Sequence, residues 1–426
     1  MFKITDLKFT DNGKKISCDY HCSGETARFF NEKDTFYSAY DTDVSAVPKS
    51  IAAIPLLSNI APIAWFAGFD IEIPEIDEDF LHSLSEIRKE LTKHYPHIAG
   101  IRSEIKYQTL VKNETSGGKS AMLFSGGVDA FATFFRHYDE TPALVTIHGA
   151  DIEIADTKQW NDVVSFNENE AMLSPNRKHY IESNMRTFYT YHVDLLLENL
   201  SWWGNIQHGL ALICSLAPLS YVYGYDKVYI ASTRSVHMEF NPWGSMPEID
   251  ERISWSGINV IHDGFELKRQ DKVDRIVKAV TDLNKKTTIR VCYSEIRQEL
   301  NCSVCEKCIR TIFGIVLAGG NPNHLGFNTD ASVYDKIDKI IRKGFKSKGT
   351  QFFWQEMYGK GKGAGEVFIF SDKDKEKAKI RELLSVIHEN AGQELVKPSG
   401  MQKIKYVLIN KYPRLFKFYM KLRRSI

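Results

Sequence analysis

The turn at 125–129, SGGVD, constrains this chain more than any other feature. It follows a short apolar run, AMLF, and precedes AFATFFRHY, whose apolar residues recur at helical spacing. A buried strand that passes at once into a helix needs a backbone free to take positive φ, and the doubled glycine, Gly126 and Gly127, supplies it. The helix start then offers unpaired N–H groups and the positive end of its dipole, an arrangement that attracts phosphate. Within Phe124, Ser125, Gly126, Gly127, Val128, Asp129 and Ala130, Ser125 can donate to a phosphate oxygen, and Asp129 can hold Mg2+ or orient a group beside the phosphates. Two other phosphate motifs are excluded. Gly118-Lys119-Ser120 matches the end of a Walker A loop, but Asn113 stands where the first glycine belongs, and the motif would precede the strand; no G-x-G-x-x-G occurs here.

The rhythm around the turn continues. ALVTIHG and KVYIAS read as apolar strands, 202–223 as a long and mostly buried helix, and 271–283 as another helix. Strands alternating with helices predict an α/β fold with a parallel sheet covered on both faces. Before it, KITDLKFT and KKISCDY read as strands and 77–95 as an amphipathic helix, ending at the break TSGGK. The organisation expected is an α+β region over 1–115, the turn-bearing domain over 116–325 and a mainly helical region over 326–426. The last is basic: 331–426 holds 22 Lys and Arg against 10 Asp and Glu, so in a chain of net charge +1 the remainder is acidic.

Nineteen residues at 51–69 carry no charge, but Pro55, Pro62, Ser58 and Asn59 suit a lipid span badly, and a buried irregular segment is expected. No apolar leader opens the chain. The expected location is the cytoplasm, without a transmembrane segment.

Cysteine usage agrees with a reducing compartment. Cys292, Cys302, Cys305 and Cys308 are clustered as C-x9-C-x2-C-x2-C, which argues for metal rather than disulfides. Four thiolates closing a tetrahedron make a structural zinc site with no open position for water. An iron–sulfur cluster is the chemical rival, though Ile309 replaces the proline that follows many such clusters.

The SGGVD turn resembles the pyrophosphate loop of the N-type ATP pyrophosphatases, the PP-loop enzymes. Combined with the cysteine pattern about 160 residues later and the helix after it, the stretch 119–320 resembles the 7-cyano-7-deazaguanine synthase family. The resemblance implies a PP-loop fold, ATP and Mg2+ at the loop, and a structural zinc. It also implies a ligase reaction: the carboxylate of 7-carboxy-7-deazaguanine is adenylated with release of pyrophosphate, ammonia gives the amide, and a second ATP gives the nitrile. This chain departs at Ala130, where the family has Ser or Thr; losing one such charge-assisted hydrogen bond costs about 1.5–3 kcal/mol.

Other positions follow from strand ends, where α/β sites lie. His148 ends the second strand, and the resemblance implies that the adenosine lies near it, with a hydrogen-bonded loop histidine as the alternative. Asn205 and His208 open the long helix. Arg234 follows KVYIAS and has the planar fork for oxyanions. In the loop 241–255, Trp243 and Trp255 could stack on a heterocycle, and Asp250 or Glu248 could accept from a guanine-like edge. The resemblance implies a lysine before the next helix, which makes Lys268 the expected second phosphate ligand.

The tail at 403–424 carries eight basic and no acidic residues among aromatics, a mix suited to nucleic acid, an anionic membrane surface or a protein partner, with a solvated helix docking on the chain's own acidic body as the alternative. The function expected is an ATP-dependent C–N ligase acting on a carboxylated heterocycle or a macromolecular carboxylate, with specialisation for bacterial defence and a homodimeric state both open. The alternatives are a non-catalytic nucleotide-binding module and ATP-dependent modification of nucleic acid.

Overall fold

The computed structural model describes every residue except 32–34, 116, 199, 239–241, 293–299, 391–392 and 396–426. The charged tail at 403–424 therefore lies outside the described residues. The chain divides into two compact units, Met1–Cys302 with Asn323–Phe327, and Ser303–Pro322 with Asn328–Ile426.

The first unit is built on one ten-stranded sheet. Its strands are β1 (Phe2–Thr10), β2 (Lys15–Cys22), β3 (Phe36–Tyr40), β4 (Ile71–Asp77), β5 (Ile105–Val111), β6 (Lys119–Leu123), β7 (Ala143–His148), β8 (Lys178–Ser183), β9 (Tyr225–Ala231) and β10 (Asn259–Asp263). Their order is β10-β9-β6-β7-β8-β3-β2-β1-β4-β5. The five strands from β10 to β8 run parallel; β3 and β2 pair antiparallel; β1, β4 and β5 are again parallel to one another. Three antiparallel pairings in succession reverse the direction, so the second parallel block points opposite to the first. The α/β reading with a mostly parallel sheet is correct.

The boundary expected at 115 does not separate two sheets. β3 pairs with β8 through Ser38–Ser183, Ala39–Glu182 and Tyr40–Ile181, so residues 1–115 extend the sheet of the turn-bearing region. The reason is edge chemistry: β8 would otherwise expose a row of unpaired backbone groups. The β1–β2 hairpin owes its tightness to Asp11, Asn12 and Gly13, all at positive φ. The boundary expected at 325 also moves, since the second unit begins at Ser303.

Helices of the first unit are α1 (Lys49–Ala52), α2 (Ile54–Ala67), α3 (Glu78–His94), α4 (Val128–Arg136), α5 (Thr157–Asn169), α6 (His208–Cys214), α7 (Ala217–Tyr223), α8 (Pro247–Asp250) and α9 (Arg269–Asp282). The uncharged run at 51–69 is buried as expected but helical rather than irregular. Pro55 occupies the first turn of α2, where its missing N–H is harmless, and Pro62 is carried inside. Asn59 and Ser58 are satisfied locally by the Pro55 carbonyl at 2.7 and 2.9 Å, and Gln207 donates to Asn59. Asp77 caps α3 by accepting the Phe80 N–H at 2.9 Å. The long helix read at 202–223 is three pieces, a π-helical turn at Trp203–Gln207 followed by α6 and α7. That stretch is long and apolar enough to cross a membrane by length and composition, and 72% of its most apolar window is buried in the protein.

The second unit contains α10 (Glu306–Leu317), α11 (Val333–Arg342), α12 (Lys348–Gly363) and α13 (Lys373–Asn390). Trp354 is buried against Phe313 and Phe345, with its indole N–H donating to Glu306 at 3.0 Å. Glu376 is buried and accepts from Tyr334, the Phe370 N–H and Ser371, which offsets the cost of taking a carboxylate out of water.

Candidate functional site

Strand order locates the site before any side chain is considered. From β6 the chain proceeds to β7 and β8 on one side, then returns to β9 and β10 on the other. The switch between β6 and β9 opens a crevice outside their carboxyl ends, where open α/β sheets bind ligands. The loops leaving β6 and β9 are SGGVD and Ser232-Thr233-Arg234.

Phe124 extends the ladder by one bond, its N–H donating to Val145 at 2.8 Å, and the chain then turns. Gly126 has φ +72°, a conformation that strains any other residue. Gly127 is the extended N-cap of α4. Arg290 holds the turn from behind: its Nε donates to the Ser125 carbonyl at 3.0 Å and its backbone N–H to the Gly126 carbonyl at 2.6 Å. With those carbonyls drawn back, the first-turn N–H groups of Val128, Asp129 and Ala130 have no helical acceptor. Ser125 is exposed; Ala130 is buried.

Asp129 is where the geometry concentrates. Its carboxylate meets Arg269 Nη1 at 2.5 Å and Lys272 Nζ at 3.1 Å, both from the first turn of α9, and Lys272 also donates to the Ser232 carbonyl. Burial pushes the Asp129 carboxyl up, but the Arg269 and Lys272 charges outweigh it and hold it below the usual carboxylate value. The segments after β6, β9 and β10 are thus tied together by one carboxylate and two cations. Ser232 N–H donates to the Asp263 carbonyl at 2.8 Å, and Thr133 of α4 donates to the Asp263 carboxylate at 2.8 Å, so the strand ends are cross-braced beneath.

Other expected residues fall variously. Lys268 is exposed at the N-cap of α9, where its backbone N–H donates to Asp271 at 3.0 Å; Lys272, one turn on and 2% exposed, is the lysine that reaches Asp129. Both ring nitrogens of His148 are engaged, with Glu182 at 3.0 Å and the Glu153 carbonyl at 3.2 Å, and its ring stacks on Trp160 at 4.6 Å, so it is the hydrogen-bonded histidine rather than a nucleotide contact. Asp250 is completely buried, bonded to Ser245 Oγ and His262 Nδ1 at 2.7 Å each, and cannot reach a substrate edge. Trp255 is buried too, its indole donating to Ser220 at 2.9 Å. Asn205 clamps the following loop by donating to the Pro242 carbonyl at 2.6 Å.

Trp243 remains at the rim. Arg234 lies over its ring at 5.4 Å, His208 faces it at 5.4 Å, Trp203 faces His208 at 5.2 Å, and Arg186 lies over Trp203 at 4.6 Å. A β-carbon on Gly204 would collide with Trp243, so the absence of a side chain at Gly204 is what admits the ring. Burial depresses the His208 pKa, with Asp151 and Asp250 opposing.

The four clustered cysteines converge as their spacing predicts. Their Sγ atoms all lie within 4.8 Å of one another. Tetrahedral Zn–S bonds of about 2.3 Å require sulfurs about 3.8 Å apart, so the set could hold a metal such as zinc with small side-chain adjustments. Asn301, beside Cys302, accepts the Val291 N–H at 3.0 Å and donates to Ile289 at 2.7 Å, which fixes the segment carrying both Arg290 and Cys292.

Lys272, Arg269 and Arg290 are the residues that sequence reading missed. A signal existed for the first two: Arg269 and Lys272 stand at i, i+3 on the first turn of a helix that follows a strand, the spacing that aims two side chains the same way. Arg290 had none, because its role depends on backbone contacts with the turn.

The fold and site define an α/β chain with a glycine turn at the switch point of a mostly parallel sheet, a partly buried carboxylate–cation cluster beside it and a four-cysteine cluster. No family model, curated protein or solved structure matches it.

Proposed function

We propose that the protein is an ATP-dependent C–N ligase that adenylates a carboxylate, in the manner of the 7-cyano-7-deazaguanine synthases its sequence resembles. The observation that supports this reading most is the Asp129–Arg269–Lys272 cluster beside the glycine turn at the β6/β9 switch. In this reading the triphosphate lies on the N–H groups of the α4 first turn, with Ser125 donating to it. Magnesium, arriving with the nucleotide, would be held by Asp129 and would neutralise phosphate charge. Lys272 and Arg269 would then turn from Asp129 to the phosphates. A carboxylate oxygen of the acceptor attacks the α-phosphorus, the bond to the β-phosphate breaks, and pyrophosphate leaves with its charge balanced by these cations. Ammonia attacks the acyl adenylate, AMP departs, and the amide forms; a second ATP would carry the amide to the nitrile. In this reading the acceptor's carboxylate would pair with Arg234 and its ring would pack on Trp243, which lie together at 5.4 Å. The acceptor is a carboxylated deazapurine or, in a specialised relative such as a bacterial defence protein, a carboxylate on a macromolecule.

Zinc is the metal proposed for the cysteine cluster. It would be closed to substrate and would brace Cys292 and Cys302, and through the neighbouring Arg290 the turn itself.

Ala130 favours a second reading, a nucleotide-binding module without turnover, because the usual hydroxyl is missing at this position. The test is to incubate the protein with Mg2+, ATP, ammonia and a panel of carboxylated deazapurines, and to measure AMP and pyrophosphate. The ligase reading expects both products, and their loss in Asp129→Ala; nucleotide binding without either product under every condition overturns it in favour of the module.

A further inference from the structure

A cavity lies at the opposite end of the parallel strands from the glycine turn. It encloses about 690 Å3 and is lined by the amino ends of three adjacent parallel strands, β9, β6 and β7, and by Arg177, just before β8. That volume suits a nucleotide-sized ligand, yet the position is the one that ligands of α/β sheets ordinarily avoid. No part of the reaction above uses it.

Its chemistry is uneven in an informative way. Two carboxylates line it, and both are already occupied. Asp226 accepts the Gly118 N–H at 2.9 Å. Glu140 accepts from Tyr229 at 2.8 Å, bonds His137 at 2.8 Å and pairs with Lys227 at 3.7 Å. The remaining cations are not so occupied. Lys119 donates to one carbonyl, that of Tyr223, at 3.2 Å. Arg177 lies with its guanidinium 4.7 Å from the centre of the Tyr223 ring, and among the described residues its side chain has no hydrogen-bond acceptor. Tyr223 is itself fixed, by stacking on Tyr225 and by donating to Thr42 at 3.0 Å. Stacking holds the guanidinium plane while leaving its in-plane N–H groups available, and that fork matches a phosphate edge. The cavity therefore presents a positioned arginine and a lysine with spare donors, and its cations, Lys119, Arg177 and Lys227, outnumber its carboxylates, Glu140 and Asp226.

We propose that this cavity is a second binding site, for a phosphorylated ligand of nucleotide size, with its phosphate on Arg177 and Lys119. The inference does not rest on the ligase reading. The test is calorimetric titration of the full chain with AMP and with inorganic pyrophosphate, comparing wild type, Arg177→Ala/Lys119→Ala, Arg177→Lys and Gly126→Val. Expected is a binding component that the double variant loses, that Arg177→Lys weakens about tenfold by removing the fork, and that Gly126→Val retains. Arg177→Lys keeps the charge and carries the test should the double variant fail to fold. Isotherms for Arg177→Lys and the double variant that superimpose on wild type overturn the proposal. Loss of the other component in Gly126→Val bears only on the glycine turn, so the two sites fail separately.

Discussion

Replacing Lys272 by Met removes a charge while nearly conserving volume, and so isolates the electrostatic part of the cluster. Lys272 is 2% exposed and contacts the Asp129 carboxylate at 3.1 Å as well as the Ser232 carbonyl. Removing one partner of a buried ion pair costs about 3–5 kcal/mol when the other charge is stranded. Here Arg269 stays on Asp129 at 2.5 Å, so the lower figure, about 3 kcal/mol, is expected. Urea denaturation of wild type, Lys272→Met, Asp129→Asn and the double variant closes a thermodynamic cycle. The coupling between the two side chains should be about 1.5–3 kcal/mol, the range for a hydrogen bond to a charged group. The acid limb supplies a second readout. The folded Asp129 pKa is lowered, so its contribution is present above the unfolded carboxylate pKa and is lost as pH falls through the folded value. Lys272→Met removes one of the charges that lower it, so the stability lost on acidification should be smaller, with its midpoint at a higher pH, than in wild type. A coupling below about 0.5 kcal/mol, the scatter of independent sites, together with an unmoved acid limb, would refute the reasoning that the two act as a pair.

Three further outcomes follow from the same geometry. Gly126→Ala should cost about 1–2 kcal/mol in denaturant unfolding, from φ +72° alone, because a β-carbon there meets nothing closer than 3.6 Å. Stripping metal with a strong chelator, or changing Cys302 to Ser, should lower the thermal midpoint and weaken ATP binding together, since the neighbouring Asn301 fixes the segment that carries Arg290; elemental analysis of wild type should find one zinc per chain. His137 is opposed by burial, but Asp263 and Glu140 raise its pKa above the ordinary 6.5. Its stabilisation is complete below that pH and is lost as pH rises through the folded value, so the stability gap between wild type and His137→Gln should narrow on the alkaline side.

Much of the fold could be read where one residue type decides one conformation. The apolar runs of β6, β7 and β9, the amphipathic spacing of α3 and the C-x2-C-x2-C cluster each declare themselves locally. The half-buried strands β8 and β10 went unread because their apolar residues are few and their place is set by neighbours distant in sequence. The N-terminal region misled for the same reason: the β3–β8 pairing joins residues more than 140 apart and leaves no local trace. At the site, the glycine turn was legible because its backbone demands are chemical. Asp250 and Trp255 were not, because a carboxylate or indole in a polar loop reads as available for a ligand until its buried partners, His262 and Ser220, are seen. Lys268 and Lys272 differ by one turn of α9, and only the direction of that helix separates the exposed lysine from the one at the crevice.

The reversal of strand direction between β8 and β1 carries a practical consequence. Because β3 seals the last parallel strand of the ligand-side block, trimming the protein back to its turn-bearing half would lay bare a six-residue ribbon, Lys178–Ser183, whose alternate side chains are buried. Such a ribbon is a template for adding another chain. Excised on its own, the catalytic-looking half should be a sticky fragment, and solubility should return only when the first hundred-odd residues are supplied, even as a separate polypeptide.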